Sequence, residues 1–477
     1  MKSLSVIRPI NCKNHGKQSR DERRGVGREI GERHIKQLRQ TISSVLATTK
    51  QETDIYDRWL WVEASIWTKP MLTALENGVK GGKWFSLMDK VYAMATLQAA
   101  WQQVQKNKGS HGVDGMSVER FAQQQEQYLQ ELQQALKAGS YQPLPVKRVF
   151  IPKAGGGKRP LGIPAVKDRI VQTALKMAIE PIFENEFVEH SYGFRPLRGC
   201  KDALRIVDEG LKAGQTWVVD ADMKSYFDSI PHAQLMAEVE TFISDGKVLK
   251  LIQAYLKQDV LAGLERWTPT SGTPQGAVIS PLLANLYLHS LDKRMAQAGY
   301  TMVRYADDFV ILCPSQEEAE KALRLVQQWV DDKDLTLHPD KTQVGSCVVE
   351  GQGFEFLGYR FEAGKRWVRK KSLQALKDKI RSKTKRTRGD SMETIIKDLN
   401  PMLKGWFNYF KHAHKWTFSE LDGFIRRRLR SLRHKQRTGQ ADFGRSKHLQ
   451  QLMPNAYFAN LGLFTMKEAH SLACQSR

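Results

Sequence analysis

Cysteine is scarce and scattered. The five cysteines, at positions 12, 200, 313, 347 and 474, form no CxxC or CxxH pair. A disulfide framework and a cysteine zinc site are therefore not expected, and a reducing, cytoplasmic setting is. Also missing is any uncharged apolar run of about 18 residues, which excludes a membrane-spanning helix and a membrane partner. The opening MKSLSVIRPINCKNHGK lacks the apolar stretch of a signal peptide. Acid is the charge in short supply, with 51 Asp and Glu against 74 Lys and Arg in 477 residues and a net charge of +23. The 41% hydrophobic content still allows a real core, and at about 100–200 residues per domain the length suggests two to four modules.

The excess charge is concentrated at two places. Residues 1–50 carry net +8 and residues 361–440 net +16, which leaves the remainder at −1. Two basic regions around a near-neutral middle suggest a polyanion held outside the region that does chemistry. In the second basic block Leu373, Leu376 and Ile380 recur at helical steps, and Asn400-Pro401 reads as a cap with proline at the first helical position. Leu403, Trp406, Phe407 and Phe410 then form an apolar stripe. A third helix should turn Phe418, Leu421, Ile425 and Leu429 inward and leave Arg426, Arg427, Arg430 and Arg433 outside. Residues 56–140 read as mostly helical, interrupted by the glycine-rich loop 109–115.

The acids of the middle stand in two groups. In VRYADDFVIL (303–312), two short apolar strands flank a tight turn that puts Asp307 and Asp308 at a hairpin tip. The strand Thr216–Val219 runs into Asp220 and Asp222, with Asp228 shortly after. Acids at the end of one buried strand and the tip of a neighbouring hairpin repel one another unless a cation sits there. Their oxygen-only chemistry suits Mg²⁺, and two such ions can clamp an in-line phosphoryl transfer. A bare YADD would more often be a solvated turn, so its surroundings carry the reading. Between the two acidic sites lies TSGTPQGAVISP (270–281), whose glycines let backbone approach a ligand closely, with Gln275 as its amide. Upstream, FIPKAGGGKRP (150–160) reads as strand, glycine turn and returning strand, bearing Lys153, Lys158 and Arg159 as a cradle for a triphosphate.

In this order the blocks resemble the group II intron-encoded reverse transcriptases, or maturases. The resemblance runs over about residues 57–435, through NKGSHGVDG (107–115), IPKAGGGKRPLGIP (151–164), HSYGFRPLRGC (190–200), VVDADMKSYFDSI (218–230), TPQGAVISPLLANLYL (273–288), RYADDFVIL (304–312), LHPDKT (337–342), FEFLGY (354–359) and GWFNYF (405–410). It implies an α+β right-hand polymerase, with fingers and an antiparallel palm sheet followed by an α-helical thumb/X domain. The implied layout is a basic arm over 1–55, a helical extension and start of the fingers over 56–150, fingers and palm over 151–360, thumb/X over 361–440, and a tail over 441–477 without an endonuclease.

The resemblance also assigns roles. Asp222, Asp307 and Asp308 become the catalytic, metal-binding carboxylates for two Mg²⁺ ions; Asp222 is favoured over Asp220 by its position four residues before the first aromatic of the YF pair, and Asp228 is left to the start of a local helix. Lys153, Arg159, Tyr226 and Gln275 become the dNTP-binding set, Tyr226 as the gate against a ribose 2′-OH. Lys341 is a contact for the pyrophosphate. Gly358 and Tyr359 belong to a primer-contacting region, beside Phe356 and Leu357 in the core. The RNA-binding set adds Arg381, Lys383, Lys385, Arg386 and Arg388. The implied partners are group II intron RNA, as template and ribozyme, and a DNA target or primer. Rival readings share the fold: a diversity-generating enzyme, which the intact QGxxxSP pattern disfavours, or a group II-like enzyme recruited to host defence or repair. A splicing cofactor that chiefly binds RNA is the reading from another class.

Overall fold

The computed structural model describes residues 57–152, 156–440, 444 and 446–475. The expected basic arm and Lys153 lie outside the described residues. The chain divides into two compact units. In the smaller, described over 57–61 and 69–76, Glu76 accepts hydrogen bonds from Arg58 Nη1 and Trp59 Nε1, both at 2.9 Å. The elements below belong to the larger.

Eleven strands occur among the described residues: β1 (Val146–Pro152), β2 (Lys158–Ile163), β3 (Trp217–Asp222), β4 (Val260–Ala262), β5 (Glu265–Trp267), β6 (Thr301–Tyr305), β7 (Asp308–Cys313), β8 (Gln343–Ser346), β9 (Phe354–Phe356), β10 (Tyr359–Glu362) and β11 (Lys365–Val368). The first sheet runs β2-β1-β4-β5. Its β1–β2 pair is the hairpin expected around the glycine turn, with Ile151 opposite Arg159, and β4 joins β1 in parallel. The second runs β6-β7-β3-β8 and is antiparallel throughout. Side chains alternate across a strand. Val218, Val310 and Leu312 share one apolar cluster with Ala203, Leu204 and Val207 of helix Cys200–Lys212. Asp220, Asp222 and Asp308 have the same parity as these valines, so they emerge on that face.

The same cluster continues without a break into the helical region. It takes in Phe354, Phe356, Tyr359, Phe361 and Val368 of the three-stranded sheet β11-β10-β9, then the inner faces of helices Lys370–Lys383, Met392–Phe410 and Trp416–Thr438. Helix Met392–Phe410 buries Ile395, Ile396, Leu399, Leu403, Phe407 and Phe410, a stripe of helical period. Each such burial contributes about 1.5–3 kcal/mol, and Leu399→Ala would cost about 2–5 kcal/mol through the cavity it leaves.

Three expectations about this region change. Asn400 is not a cap, because the helix is capped nine residues earlier, where the Ser391 hydroxyl accepts from Thr394 N–H, and it runs through Pro401. Asn400 instead ties the helix to a later turn, donating to Gly462 O at 2.8 Å and accepting from Phe464 N–H at 2.9 Å. Arg430, expected outside, is buried and donates to Met453 O and Asn455 Oδ1. The segment expected as a tail holds helices Lys447–Leu452, Asn455–Asn460 and Met466–Gln475, and Leu449, Met453, Phe458, Leu463 and Met466 complete the same cluster.

Candidate active site

The sheet register brings the acids together. β3 ends at Asp222 and β7 begins at Asp308, directly opposite each other. Asp307 sits in the turn before β7, after Ala306 with its positive φ of 61°. Burial and then the charges of Asp220, Asp222 and Asp307 push the Asp308 carboxyl up to about 7. Asp307 is also raised, by burial first and by Asp222 second among the raising causes. Burial lifts Asp220 to about 6, eased by hydrogen bonds from the Glu355 backbone and the Gln343 side chain. Asp220 thus has protein partners of its own beside β8 and β9.

Lys341 is the cation within reach, and its ammonium contacts Asp222 Oδ2. It arrives on a turn anchored to the same strand, where His338 N–H donates to Asp222 O at 2.8 Å and Lys341 N–H to His338 O at 3.2 Å. Among the described residues no three Asp, Glu, His or Cys side chains stand at metal-holding spacing, with Asp222 drawn onto Lys341. The donor chemistry nonetheless fits a hard divalent cation: the donors are oxygen only, and burial first, then acidic neighbours, raise Asp307 and Asp308.

On the nucleotide side the structure corrects one assignment. Tyr226 is 2% exposed, and its hydroxyl donates to Ala284 O at 2.6 Å inside the protein, so it cannot face a ribose. The next residue, Phe227, is half-buried, with its ring edge-to-face against the half-exposed Phe194. Phe227 is the aromatic that sequence reasoning passed over, although both stood in the same motif. Arg159 and Gln275 do meet: Arg159 Nε donates to Gln275 Oε1 at 3.2 Å, and Gln275 Nε2 donates to Asp228 Oδ2 at 3.0 Å. Asp228, expected to serve the start of a local helix, does lie in the first turn of the short helix Tyr226–Ser229, and it is also the palm end of a string reaching the first sheet. The loop carrying Gln275 threads between backbones. At Gly272, with φ of +84°, a β-carbon would stand 2.7 Å from Phe227 O, and at Gly276 one would collide with Gly162 O.

The expected nucleic-acid contacts fare differently. Tyr359 is fully buried and donates to Tyr409 O at 2.6 Å, so it is core and not a primer contact. Gly358 shares the β9–β10 turn with Leu357, both at positive φ, and lies over Phe410 and Ser372. Leu357 is only half-buried, whereas Phe356 is core as expected. The basic run 381–388 is largely engaged by the protein itself. Arg381 pairs with Asp378 at 2.5 Å, Lys383 with Asp398 at 2.6 Å, and Arg388 with both Asp390 and Asp398. Arg386 donates to Ser431 Oγ at 2.8 Å, while Lys385 is exposed. Of these, Lys383 ties helix Lys370–Lys383 to helix Met392–Phe410 through Asp398, which departs from the expected row of open phosphate contacts.

Comparison with known proteins agrees with this division. The family described as "Reverse transcriptase (RNA-dependent DNA polymerase)" matches residues 151–361. The "Group II intron, maturase-specific domain" matches residues 373–453. Protein YkfC of Escherichia coli (strain K12) is 38% identical over 296 residues, covering 53% of this chain and 77% of that protein. Group II intron-encoded protein LtrA of Lactococcus lactis subsp. cremoris is 39% identical over 201 residues, covering 42% of this chain and 33% of that protein. Among solved structures, a chain of a "Partial Cas6-RT-Cas1--Cas2 complex" is 26% identical with a TM-score of 0.33, covering 52% of this chain and 41% of its own. No helix among the described residues is long and apolar enough to cross a membrane.

Proposed function

The chain belongs to the family of group II intron-encoded reverse transcriptases and maturases, and we propose that it copies RNA into DNA at the β3–β7 carboxylates while its helical region helps hold intron RNA for splicing. The observation that carries this reading is the register pair Asp222–Asp308, with Asp307 in the adjoining turn and the Asp307 and Asp308 carboxyls raised by burial and by their acidic neighbours. Asp222, Asp307 and Asp308 would hold two Mg²⁺, which when bound supply charge neutralisation and in-line alignment for phosphoryl transfer.

The chain's own residues set up the rest. Arg159 and the fingers turn supply cationic donors for triphosphate oxygens, and the string through Gln275 to Asp228 fixes Arg159 relative to the palm. Lys341, already at Asp222, is placed to meet the charge of the departing pyrophosphate. The Phe227 ring, and not that of Tyr226, is the wall that a ribose 2′-OH would strike. DNA primer and RNA template are the substrates of this reading, and dNTPs the monomers.

The test is primer extension on an RNA template with the four dNTPs and Mg²⁺. Wild type should extend, and Asp308→Asn should not, while both retain RNA. Extension by Asp308→Asn would overturn the assignment. For the maturase function, the chain should lower the Mg²⁺ needed for splicing of a group II intron encoded beside it, and Asp308→Asn should do so equally. Splicing lost in that variant would contradict the separation of the two roles.

A further inference from the structure

Beneath the carboxylate hairpin lies a polar group that the reaction as described does not use. Arg304, on β6 two residues before Ala306, is fully buried. Its guanidinium makes a complete fork. Nε donates to Asp292 Oδ1 at 2.7 Å and Nη2 to Asp292 Oδ2, while Nη1 donates to Asn285 Oδ1 at 2.9 Å and to the Ala306 carbonyl at 2.9 Å. Asp292 and Asn285 are 3% and 2% exposed and both belong to helix Ser280–Gln297. Asn285 then passes the connection on, its Nδ2 donating to Gly193 O at 2.7 Å.

The fourth contact is the informative one. Ala306 holds a left-handed conformation without being glycine, a state that persists only where the surroundings impose it. Those surroundings are Arg304 on its carbonyl and Gly193 against its nitrogen, where a β-carbon would collide with the backbone. The strand is pinned as well, with Arg304 N–H donating to His190 O at 3.0 Å and Tyr192 N–H to Arg304 O at 2.9 Å. Asp307 and Asp308 follow Ala306 directly, so the orientation of its peptide sets where their carboxylates leave the turn.

We infer that Arg304 is a positioning residue for the metal-binding carboxylates, its fork to Asp292, Asn285 and the Ala306 carbonyl holding the turn that aims Asp307 and Asp308. The Arg304–Asp292 pair is internally neutral, so it acts by geometry and adds little field. A lysine could keep the charge pairing but has no planar fork to reach three acceptors at once. The inference rests on the reading of Asp222, Asp307 and Asp308 as metal ligands.

The test measures Mn²⁺ binding to the full chain by electron paramagnetic resonance, alongside primer extension, RNA affinity and thermal unfolding. In Arg304→Lys the Mn²⁺ dissociation constant should rise about tenfold or more and kcat should fall by a similar factor. The dNTP KM and the RNA affinity should stay within about twofold. A folded Arg304→Lys protein with wild-type Mn²⁺ affinity overturns the inference. Should that variant fail to fold, Asn285→Ala decides, because it leaves the buried ion pair intact. A threefold or greater loss of Mn²⁺ affinity in Asn285→Ala supports the clamp, and none overturns it. Asp308→Asn separates the two levels. If it binds Mn²⁺ like wild type, the ligand reading itself has failed, whereas loss there with none in the clamp variants removes Arg304 alone.

Discussion

The palm hairpin and the first thumb helix are both crowded with charges of one sign, and they treat them in opposite ways. At the hairpin, Asp220, Asp222 and Asp308 share one face with Asp307 in the adjoining turn, and Asp308 is pushed up to about 7. Along 381–388, four of the five cations already have partners within the chain. The acid group is relieved only in part, by Lys341 at Asp222, so it still favours a ligand of opposite sign. A run whose charges are satisfied locally is part of the scaffold. The difference teaches that count of charge is a poor guide to a binding surface, and that residual charge after internal pairing is a better one.

The largest effect that tests this contrast is at the hairpin. Asp308→Asn should cut primer extension at least about 1,000-fold, measured as single-nucleotide incorporation, with RNA affinity unchanged. The next concerns the two adjacent aromatics. Phe227→Ala should raise rNTP incorporation relative to dNTP by about 10–100-fold. Tyr226→Phe should leave that ratio alone and cost about 1–2 kcal/mol in stability by stripping Ala284 O of its donor; a shift in selectivity there would restore Tyr226 as the gate.

A buried acid outside the cluster provides a control. Asp168 is raised to about 6 by burial, although Tyr141 O–H at 2.6 Å and Leu144 N–H at 3.0 Å donate to it. Its folded value lies above the unfolded one of about 3.9, so the folded state holds more protons between them. Its contribution to stability therefore falls as pH rises from about 4 to 6 and is flat above that. Denaturant unfolding should show that decline, of about 2–3 kcal/mol, and Asp168→Asn should remove it. The smallest effect is expected in the thumb. Lys383→Gln with Arg388→Gln should cost only about 0.5–1 kcal/mol, and the slope of log RNA affinity against log salt should change by less than about one unit. A loss of two units would return this run to the RNA surface.

The hairpin that carries Asp307 and Asp308 was legible because its signal is local: strand alternation, a tight turn and adjacent acids lie within ten residues. The β1–β2 hairpin and the inner faces of the thumb helices were legible for the same reason. Tyr226 misled because successive residues on a helical turn point about 100° apart, and nothing in the pair Tyr226-Phe227 says which ring meets the core. Only the long-range partner Ala284 O decides. Asn400-Pro401 misled because local capping preference was weighed above the continuing stripe of Ile395, Ile396, Leu399 and Leu403. The true cap, Ser391, was present in the sequence. Polar pairing across 10 to 45 residues, as in the ion pair Arg388–Asp398 or the hydrogen bond from Arg386 to Ser431, leaves no pattern to read in advance.

The unbroken apolar cluster that runs from helix Cys200–Lys212 through β9–β11 to the C-terminal helices has a consequence for cooperativity. The two family matches meet between residues 361 and 373, but no core ends there. A chain cut after residue 369 would uncover Tyr359, Phe361 and Val368 together, and with them the support under β10 and β11. Polymerase and maturase regions should therefore melt in one calorimetric transition. What looks like two modules joined in sequence shares one core, so removing either half would expose the apolar face of the other.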